Sequence, residues 1–578
     1  MKFTITPRIS ISFLVFIVLG VYYPAIFSPL NSVDDPGMYN YLLNTDNFNF
    51  KTIFFPGGGE YYRPLLIVSY LMDKFVWGLE ESFMHLENIL FHLCNTLLVF
   101  VIARRACQLK KLDSTWTPFL AALFFAIHPI NTEPINWIAG RTDLLAGFFV
   151  FISMWLLMRG SVSWWVSFFA AGCLFLGCLA KETAIFFLPA ALLLPFFMVD
   201  AGLNCRETLR NLITRNFPHF ILFTLAGLVY FAFRTVGFSL KDNGVSRVLT
   251  HVVGNHSAGI LTDLPNLLKA VGFYVKKLFI PFPLNFAIVH VSDFYILIGL
   301  LVCAVLVWLM IKRTLSGYFL VCAACVGFSA LMIPLLKLTW TPFAERYLYI
   351  SSAFFLVGAS MYISTWKGKA HYRVFIAGLT VVLSVIAVFG TVSRTILWQD
   401  NLAFFQDTLK KSPGFMPLKN EIATALYAKG REQEATALIA SIKLPENLVN
   451  YQLGLMTKAA SLNRRGDSDG ARALLRITMQ NPGKFEPRII EQLVKINESE
   501  VFGGKTPKGS FYAENIKLLT RLYQLTGDPF ALYRLGQTHL FAGKREKARE
   551  VFAQVVAKAP EKVYYRQTAE KLVTKLSE

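Results

Sequence analysis

Long apolar stretches separated by short loops occupy most of the first 395 of the 578 residues. A stretch of roughly 20 apolar residues is long enough to cross a bilayer, because each residue advances a helix by about 1.5 Å. The first stretch runs from about residue 11 to residue 30, and the last from about 374 to 391. Since 54% of the residues are hydrophobic and only 16% are charged, the sequence is typical of a polytopic membrane protein.

The excess of positive charge follows the loops between these stretches. The net charge is +20, and basic pairs such as Arg104-Arg105 and Lys312-Arg313 fall in alternate loops. Lys and Arg concentrate on the cytoplasmic side of membrane proteins. The charge is therefore explained by membrane topology, and nucleic acid is not expected as a partner. The pattern predicts about eleven spans, with the N-terminus inside and the chain beyond residue 395 outside.

Two further apolar stretches are interrupted by charges. Residues 65 to 79 contain Asp73 and Lys74, and residues 263 to 279 contain Lys276 and Lys277. A helix of this kind is expected to lie in the membrane interface. The basic inner loops and the short N-terminus favour a bacterial inner membrane, with the external residues in the periplasm.

Beyond residue 395 the composition becomes that of a soluble domain. Phe530, Gly536, Ala548 and Phe552 stand at the spacing of a tetratricopeptide repeat (TPR), in which small residues allow two helices to cross. Weaker copies occur around residues 423 to 435 and 459 to 471. Residues 396 to 578 are thus predicted to form a TPR-like α-solenoid with a concave face for a protein. Plain helical hairpins without a ligand are the alternative.

A polar stretch lies between two apolar ones at residues 128 to 143. It contains His128, Glu133, Arg141 and Asp143, together with two prolines and one glycine. Ionisable side chains at the mouths of membrane helices are costly unless they bind something polar. The stretch is therefore expected to fold back along a water-filled cavity, although an ordinary loop outside the membrane is the alternative.

Other ionisable residues are predicted on the same external side. Arginine and lysine suit a phosphate or pyrophosphate, and the Asp34-Asp35 pair suits a general base or a divalent cation. A lipid-linked phosphate arriving from the bilayer would meet these groups. His85 and His92 are expected to pack or to cap rather than to bind a metal. The candidate site residues are Asp34, Asp35, Arg63, His128, Glu133, Arg141, Asp143, Lys181, Glu182, Arg234, Glu345 and Arg346.

Several of these residues stand in motifs that resemble a known family. The motifs are Tyr62-Arg63-Pro64, His128-Pro129 with Thr132-Glu133 and Gly140-Arg141-Thr142-Asp143, Lys181-Glu182-Thr183, and Glu345-Arg346-Tyr347. In this order they resemble the transmembrane and tetratricopeptide-repeat O-mannosyltransferases. The resemblance implies a type C glycosyltransferase (GT-C) domain over residues 1 to 395, and a fold that is entirely α-helical.

The resemblance also implies a reaction. A sugar, mannose by this likeness, would pass from a polyprenyl phosphate to a Ser or Thr hydroxyl of a protein with inversion at the anomeric carbon. Asp34 would be the base. The donor phosphate would be held by a set of cationic side chains, with Tyr347 beside them: Arg141, Lys181, Arg234 and Arg346.

Three other functions remain open at this point. In the first, the acceptor is a lipid or a cell-envelope glycan instead of a protein. In another, the chain is a non-catalytic membrane scaffold whose repeats recruit partners. A transporter is disfavoured, because its ionisable residues would lie near the middle of the bilayer, whereas those of this sequence cluster at one end.

Overall fold

The computed structural model describes the chain from Thr6 to Ser577 with internal gaps. The residues outside the description are 1–5, 36–37, 40–41, 43–47, 57–60, 160–162, 199–215, 238–258, 337–340, 366–369, 414, 416, 442–454, 457, 461, 464–465, 481, 483–484, 503–507, 560–562 and 578. Within the described ranges the regular structure is helical, apart from one isolated bridge between Ile288 and Phe343. The expectation of an all-α chain is confirmed to that extent.

The chain divides into two compact units. The first comprises Met1–Phe48, Glu60–Arg234 and Gly244–Ser412, and the second comprises Asn49–Gly59, Thr235–Asn243 and Pro413–Glu578. The helices up to residue 411 are α1 (Pro7–Tyr22), α2 (Phe50–Phe54), α3 (Pro64–Trp77), α4 (Glu81–Leu109), α5 (Trp116–Ile127), α6 (Thr132–Asn136), α7 (Arg141–Leu157), α8 (Trp164–Ala180), α9 (Phe187–Met198), α10 (Phe217–Gly237), α11 (Gly259–Phe279), α12 (Tyr295–Lys312), α13 (Leu315–Leu336), α14 (Tyr349–Thr365), α15 (Ala370–Leu397) and α16 (Asn401–Lys411).

Eight helical segments in the described ranges are long and apolar enough to cross a membrane. They are Pro7–Phe27, Glu81–Leu109, Ile138–Leu157, Phe217–Val236, Tyr295–Lys312, Leu315–Ile333, Glu345–Thr365 and Val374–Leu397. Three shorter apolar helices accompany them, at Trp116–Ile127, Trp164–Ala180 and Glu182–Met198. The chain is thus an integral, multi-pass membrane protein, and the number of spans beyond these eight remains a prediction.

The two stretches with interrupting charges both form helices. They are α3 and α11, and neither is among the eight candidate spans. Pro64 begins α3 at a position where a backbone N–H has no partner, and Gly78 ends it with φ +68°, a left-handed conformation that glycine adopts without strain. These local signals explain the boundaries of α3.

The polar stretch of residues 128 to 143 folds as a series of tight turns. α5 ends at Ile127, two short 3-10 segments flank α6, and α7 begins at Arg141. A Cβ atom on Gly140 would lie 2.5 Å from the Pro134 carbonyl oxygen, so the chain reversal requires glycine there. Nearly every residue of the stretch is buried. The expected water-filled cavity along it is wrong, because the stretch packs against protein.

The second unit contains paired helices. Its C-terminal part holds α17 (Pro417–Ala428), α18 (Glu432–Ala440), α19 (Ser468–Thr478), α20 (Glu486–Phe502), α21 (Lys508–Thr526), α22 (Pro529–Phe541), α23 (Arg545–Lys558) and α24 (Tyr564–Ser577). Gly536 of α22 faces the Phe552 ring of α23 so closely that a Cβ would clash with it at 2.6 Å. A core of buried residues continues through α20, α21, α22, α23 and α24.

A charged cluster beside the polar turns

Oppositely charged side chains from distant parts of the first unit pair around the polar turns. Arg346 binds Glu133, Lys181 binds Asp143, Arg63 binds Glu182 and Lys277 binds Glu345. All are buried or nearly so, except that Arg63 and Glu182 retain 19% and 31% of their side-chain exposure. Burying an ion pair is unfavourable unless each charge keeps good partners. Several buried pairs in one place therefore indicate a candidate functional site. We call Arg63, Glu133, Asp143, Lys181, Glu182 and Arg346 the charged cluster.

Two of these pairs meet at Tyr347. The Nζ atom of Lys181 lies 2.7 Å from both carboxylate oxygens of Asp143 and 5.8 Å from the centroid of the Tyr347 ring. The Arg346 guanidinium donates to the Tyr347 hydroxyl at 3.0 Å and lies 4.7 Å from the same ring. Tyr347 is therefore close to both cations.

The Arg63–Glu182 pair extends the cluster. Arg63 donates from Nε and from a terminal nitrogen to the two oxygens of Glu182, at 3.0 and 2.6 Å. Burial lowers the pKa of Arg63, but Glu182 and, more weakly, Asp143 raise it by more, so the pKa lies above its ordinary range. Arg63 therefore stays charged and lies within electrostatic reach of the Lys181–Asp143 pair.

Arg234 lies beside two tyrosines near the charged cluster. Its guanidinium donates to the Tyr230 hydroxyl at 3.1 Å. Burial raises the pKa of Tyr62 to about 12, and the charge of Arg234 opposes this shift. Tyr62 precedes Arg63, so Arg234 lies near the same part of the chain. Tyr62 stood in the sequence motif but was not among the candidate site residues.

The Asp34-Asp35 pair separates into two different environments. Asp35 is completely buried, and its carboxylate accepts the Asn31 backbone N–H at 2.8 Å and the Ala139 N–H at 3.1 Å. The side chain of Asp34 is exposed. Asp35 thus fastens the first loop to Ala139. Ala139 is two residues from Trp137, whose ring lies 5.3 Å from the Arg346 guanidinium.

Arg141 does not occupy the place expected for a phosphate ligand. It has no exposed surface, and it donates to Asp73 at 2.6 Å, to Asn88 at 2.9 Å and to the Met84 carbonyl at 2.9 Å. These partners hold α3 and α4 against the start of α7. We therefore correct its expected role from donor binding to scaffolding. Sequence spacing gave no sign of Asp73 as its partner, since the two residues lie on different helices.

His128 also has a structural position. Its Nδ1 accepts the Ile130 N–H at 3.3 Å, so its Nε2 carries the proton that it donates to the Leu278 carbonyl at 3.1 Å. Burial lowers its pKa to about 4, which keeps the ring neutral. The expected contact of His128 with the donor is replaced by a tether to α11. His92 likewise packs, with its two ring nitrogens 2.9 Å from the Tyr349 hydroxyl and 3.1 Å from the Ala126 carbonyl oxygen.

Glu345 pairs with Lys277, a residue that was not among the candidates. The Nζ atom of Lys277 lies 2.6 Å from the Glu345 carboxylate and donates to the Pro281 carbonyl at 2.9 Å. Glu345 also accepts the Asn285 backbone N–H at 3.0 Å. The pair anchors the end of α11 beside Arg346. Lys277 appeared in the sequence only as an interruption of an apolar stretch.

A divalent cation at the acidic pair does not fit the arrangement. Both oxygens of Asp35 accept backbone N–H groups. In the described parts of the chain, no three His, Cys, Asp or Glu side chains come together in a way that could hold a metal ion. Hard divalent cations need several oxygen ligands. The described residues around Asp34 and Asp35 therefore do not provide the ligand set of such a cation.

The buried position of Asp35 predicts a pH dependence of stability. Burial, and to a smaller degree Asp34, raises its pKa to about 7, although the two backbone hydrogen bonds oppose the shift. In the unfolded chain this group loses its proton near pH 4. The folded state therefore holds the extra proton between these values, and stability should fall by on the order of 4 kcal/mol as the pH rises from about 4 to about 7.

Thermal unfolding at pH 5 and pH 8 measures this effect. We expect the wild type to unfold at a higher temperature at pH 5, and the Asp35→Asn variant to have lost most of that difference. Asp293→Asn, which changes an aspartate that is 81% exposed, should keep it. An equal pH dependence in wild type and Asp35→Asn would contradict the assignment.

Parts of the chain are similar to known glycosyltransferases. It is 34% identical over 85 residues to Protein O-mannosyl-transferase TMTC1 of Mus musculus, which is 15% of this chain and 9% of the relative. It is 36% identical over 98 residues to Protein O-mannosyl-transferase TMTC2 of Mus musculus, covering 17% and 11%. It is 29% identical over 149 residues to Protein O-mannosyl-transferase Tmtc3 of Drosophila melanogaster, covering 22% and 16%. This part of the chain resembles protein O-mannosyl-transferases.

The similarity is limited in extent. The matched segments make up between 9% and 16% of the length of these three curated relatives. No family profile matches the sequence. The expected likeness to the O-mannosyltransferases is thus supported for a part of the chain, and the expected bacterial origin is not supported by these animal proteins.

Proposed function

We propose that the chain is a membrane glycosyltransferase that moves a sugar from a polyprenyl phosphate to a hydroxyl group. The main support is that the loop bearing Asp34 is attached, through the hydrogen bond from Ala139 to Asp35, beside the charged cluster. The similarity to O-mannosyl-transferases favours mannose as the sugar and a protein Ser or Thr as the acceptor. On this proposal the first unit has the GT-C architecture with about eleven spans.

The cations of the cluster would bind the phosphate of the donor. Arg63, Lys181 and Arg346 are already held in place by carboxylates, so little freedom is lost when an anion arrives. The forked N–H groups of arginine suit phosphate oxygens, and lysine supplies a compact charge. As the bond from the sugar to the phosphate breaks, negative charge grows on the phosphate, and fixed cations stabilise it most in that state.

Asp34 would act as the general base. Its exposed carboxylate would take the proton of the acceptor hydroxyl while the hydroxyl oxygen attacks the anomeric carbon from the side opposite the phosphate. The new glycosidic bond forms as the sugar–phosphate bond breaks, and the configuration inverts. Polyprenyl phosphate leaves, and the proton remains on Asp34. Asp35 positions the loop and does not touch the reacting atoms.

The second unit would present the acceptor. Its helix pairs are compatible with TPR-like repeats, which bind extended segments on a concave face. The proposal places this unit and the charged cluster on the same, external side of the membrane, periplasmic if the chain is bacterial. A scaffold without catalysis would use the same repeats but would have no need of the charged cluster.

Transfer of label from polyprenyl-phosphate [³H]mannose by the purified full chain in liposomes tests this function. Label that appears in added membrane proteins and is released by β-elimination identifies a Ser or Thr acceptor. Label in the lipid or glycan fraction identifies the alternative acceptor. Absence of transfer into every fraction by a folded protein would contradict the enzyme and favour the scaffold.

Lys181 gives a graded prediction for donor binding. In Lys181→Gln the Asp143 carboxylate keeps its charge and repels the donor phosphate, so the KM for the donor should rise by roughly tenfold to a hundredfold. The double variant Lys181→Gln with Asp143→Asn leaves the net charge of the cluster unchanged and should show a smaller rise. Donor titrations of the transfer rate measure both. Equal KM values in wild type and Lys181→Gln would contradict a phosphate beside Lys181.

A further inference from the structure

A cavity of about 390 Å³ lies at the far ends of α4 and α7 from the charged cluster. Arg141 at the start of α7 contacts Met84 and Asn88, near the start of α4, so the two helices begin at the same end. Arg159 follows 18 residues after Arg141, which corresponds to about 27 Å along a helix. This is close to the thickness of the hydrocarbon core of a bilayer, about 30 Å. The cavity therefore lies at the opposite membrane interface.

The lining of the cavity is basic and aromatic. It consists of Val101, Arg104, Arg105, Gln108, Trp155 and Arg159. The Arg159 guanidinium lies 4.5 Å from the Trp155 ring. Among the ion pairs of the described residues, none involves these arginines. Three positive charges thus surround the cavity without a carboxylate among its lining residues.

Arg104 supplies an independent sign of a missing partner. Its Nε atom is buried and has no hydrogen-bond acceptor within the described part of the chain. A buried donor without an acceptor is costly, and such groups are rare unless a ligand or water completes them. An anion seated in the cavity would bring acceptor oxygens to this side of the guanidinium.

Helix capping accounts for only one of the three arginines. Arg105 donates to the Met158 carbonyl at 3.0 Å and to the Arg159 carbonyl at 3.2 Å, which satisfies the end of α7. The acidic residue that follows α4, Asp113, accepts the backbone N–H groups of Thr115 and Trp116. Arg104 and Arg159 have no such capping role, and they take no part in the proposed reaction.

We propose that this cavity binds the phosphate headgroup of an anionic phospholipid. Arginine recognises phosphate oxygens through forked hydrogen bonds, and basic pockets between membrane helices suit anionic headgroups. Trp155 is of the type that accumulates at the interface. The volume lies in the range of pockets that hold small ligands, about 300–1,000 Å³. A free phosphate shares the chemistry, but the position at the end of two membrane-length helices favours a lipid.

Native mass spectrometry of the delipidated full chain tests this site. The probes are phosphatidylglycerol and phosphatidylcholine of equal chain length, titrated into wild type, into Arg104→Gln with Arg159→Gln, and into Lys110→Gln with Lys111→Gln. The second double variant removes the same charge from residues just beyond α4 that do not line the cavity. Inorganic phosphate serves as a competitor in a separate arm.

We expect wild type to hold one phosphatidylglycerol in clear preference to phosphatidylcholine. The cavity double variant should bind it about thirtyfold more weakly than wild type. This loss of affinity should be at least tenfold greater than the loss in the lysine variant. The single variant Arg159→Gln changes an exposed residue, and it should lower the affinity for phosphatidylglycerol about fivefold. It tests the site if the double variant does not fold. Equal losses in both double variants, no loss in Arg159→Gln, or displacement of the lipid by inorganic phosphate would overturn the proposal.

Discussion

Asp34→Asn should abolish sugar transfer while donor binding stays within about twofold of wild type. An amide does not take up the proton of the acceptor hydroxyl, and loss of a general base typically lowers the rate by about 10²–10⁴. The structure distinguishes Asp34 from its neighbour, since Asp34 is exposed whereas both Asp35 oxygens accept backbone N–H groups. The transfer rate at saturating donor and the Kd of the donor measure the two parts of this expectation.

The matched control for this variant is Asp293→Asn. Asp293 is an exposed aspartate that pairs with Lys269 on the surface of the same unit. Surface pairs contribute little to stability, so this change should leave both transfer and folding intact. Transfer by Asp34→Asn at more than a tenth of the wild-type rate would remove Asp34 from the role of base.

Arg141→Ala should destabilise the first unit by about 3–5 kcal/mol. It leaves the completely buried Asp73 carboxylate without its 2.6 Å partner, and an uncompensated buried charge carries a penalty of this size. The variant also loses the hydrogen bonds to Asn88 and the Met84 carbonyl. Thermal unfolding in detergent should show a large drop in the midpoint temperature, and any folded fraction should still bind the donor.

A second substitution separates scaffolding from ligand binding. Adding Asp73→Asn to Arg141→Ala removes the stranded charge and should restore a substantial part of the lost stability. If Arg141 were a phosphate ligand, Arg141→Ala would instead keep its midpoint temperature and lose donor affinity. That second pattern would contradict the scaffolding role.

The sequence predicted the kinds of elements well where local chemistry determines them. Pro64 and Gly78 mark the two ends of α3, and the prolines and Gly140 break the stretch between α5 and α7 into turns. Apolar stretches of membrane length predicted helices that the structure contains. These features depend on neighbours within a few residues, so a pattern in the sequence carries them.

The partners within the site could not be read in the same way. Glu133 and Arg346 are 213 positions apart, and Asp73 and Arg141 are 68 apart. The sequence identified Glu133, Arg141 and Arg346 as members of one external set, but a charge chooses its partner by distance in three dimensions. For this reason Arg141 was expected at the phosphate, and Lys277 was overlooked as the partner of Glu345.

The expected water-filled cavity failed for a related physical reason. Polar side chains in an apolar setting need partners, and the sequence does not show whether water or protein supplies them. Here protein supplies them: Asn131 donates to the Phe125 carbonyl at 2.9 Å, and Thr132 to the Pro129 carbonyl at 2.7 Å. The stretch is a buried framework for the charged cluster.

The binding of a polyprenyl phosphate and of the matching polyprenol to the purified wild-type chain tests the proposed site most directly. The two lipids share their hydrocarbon chain and differ only in the phosphate, so the ratio of their Kd values reports what the cations contribute. We expect the phosphate form to bind at least tenfold more tightly, and Asp34→Asn to keep that ratio. Equal affinity of the two lipids would show that the charged cluster does not hold a donor phosphate.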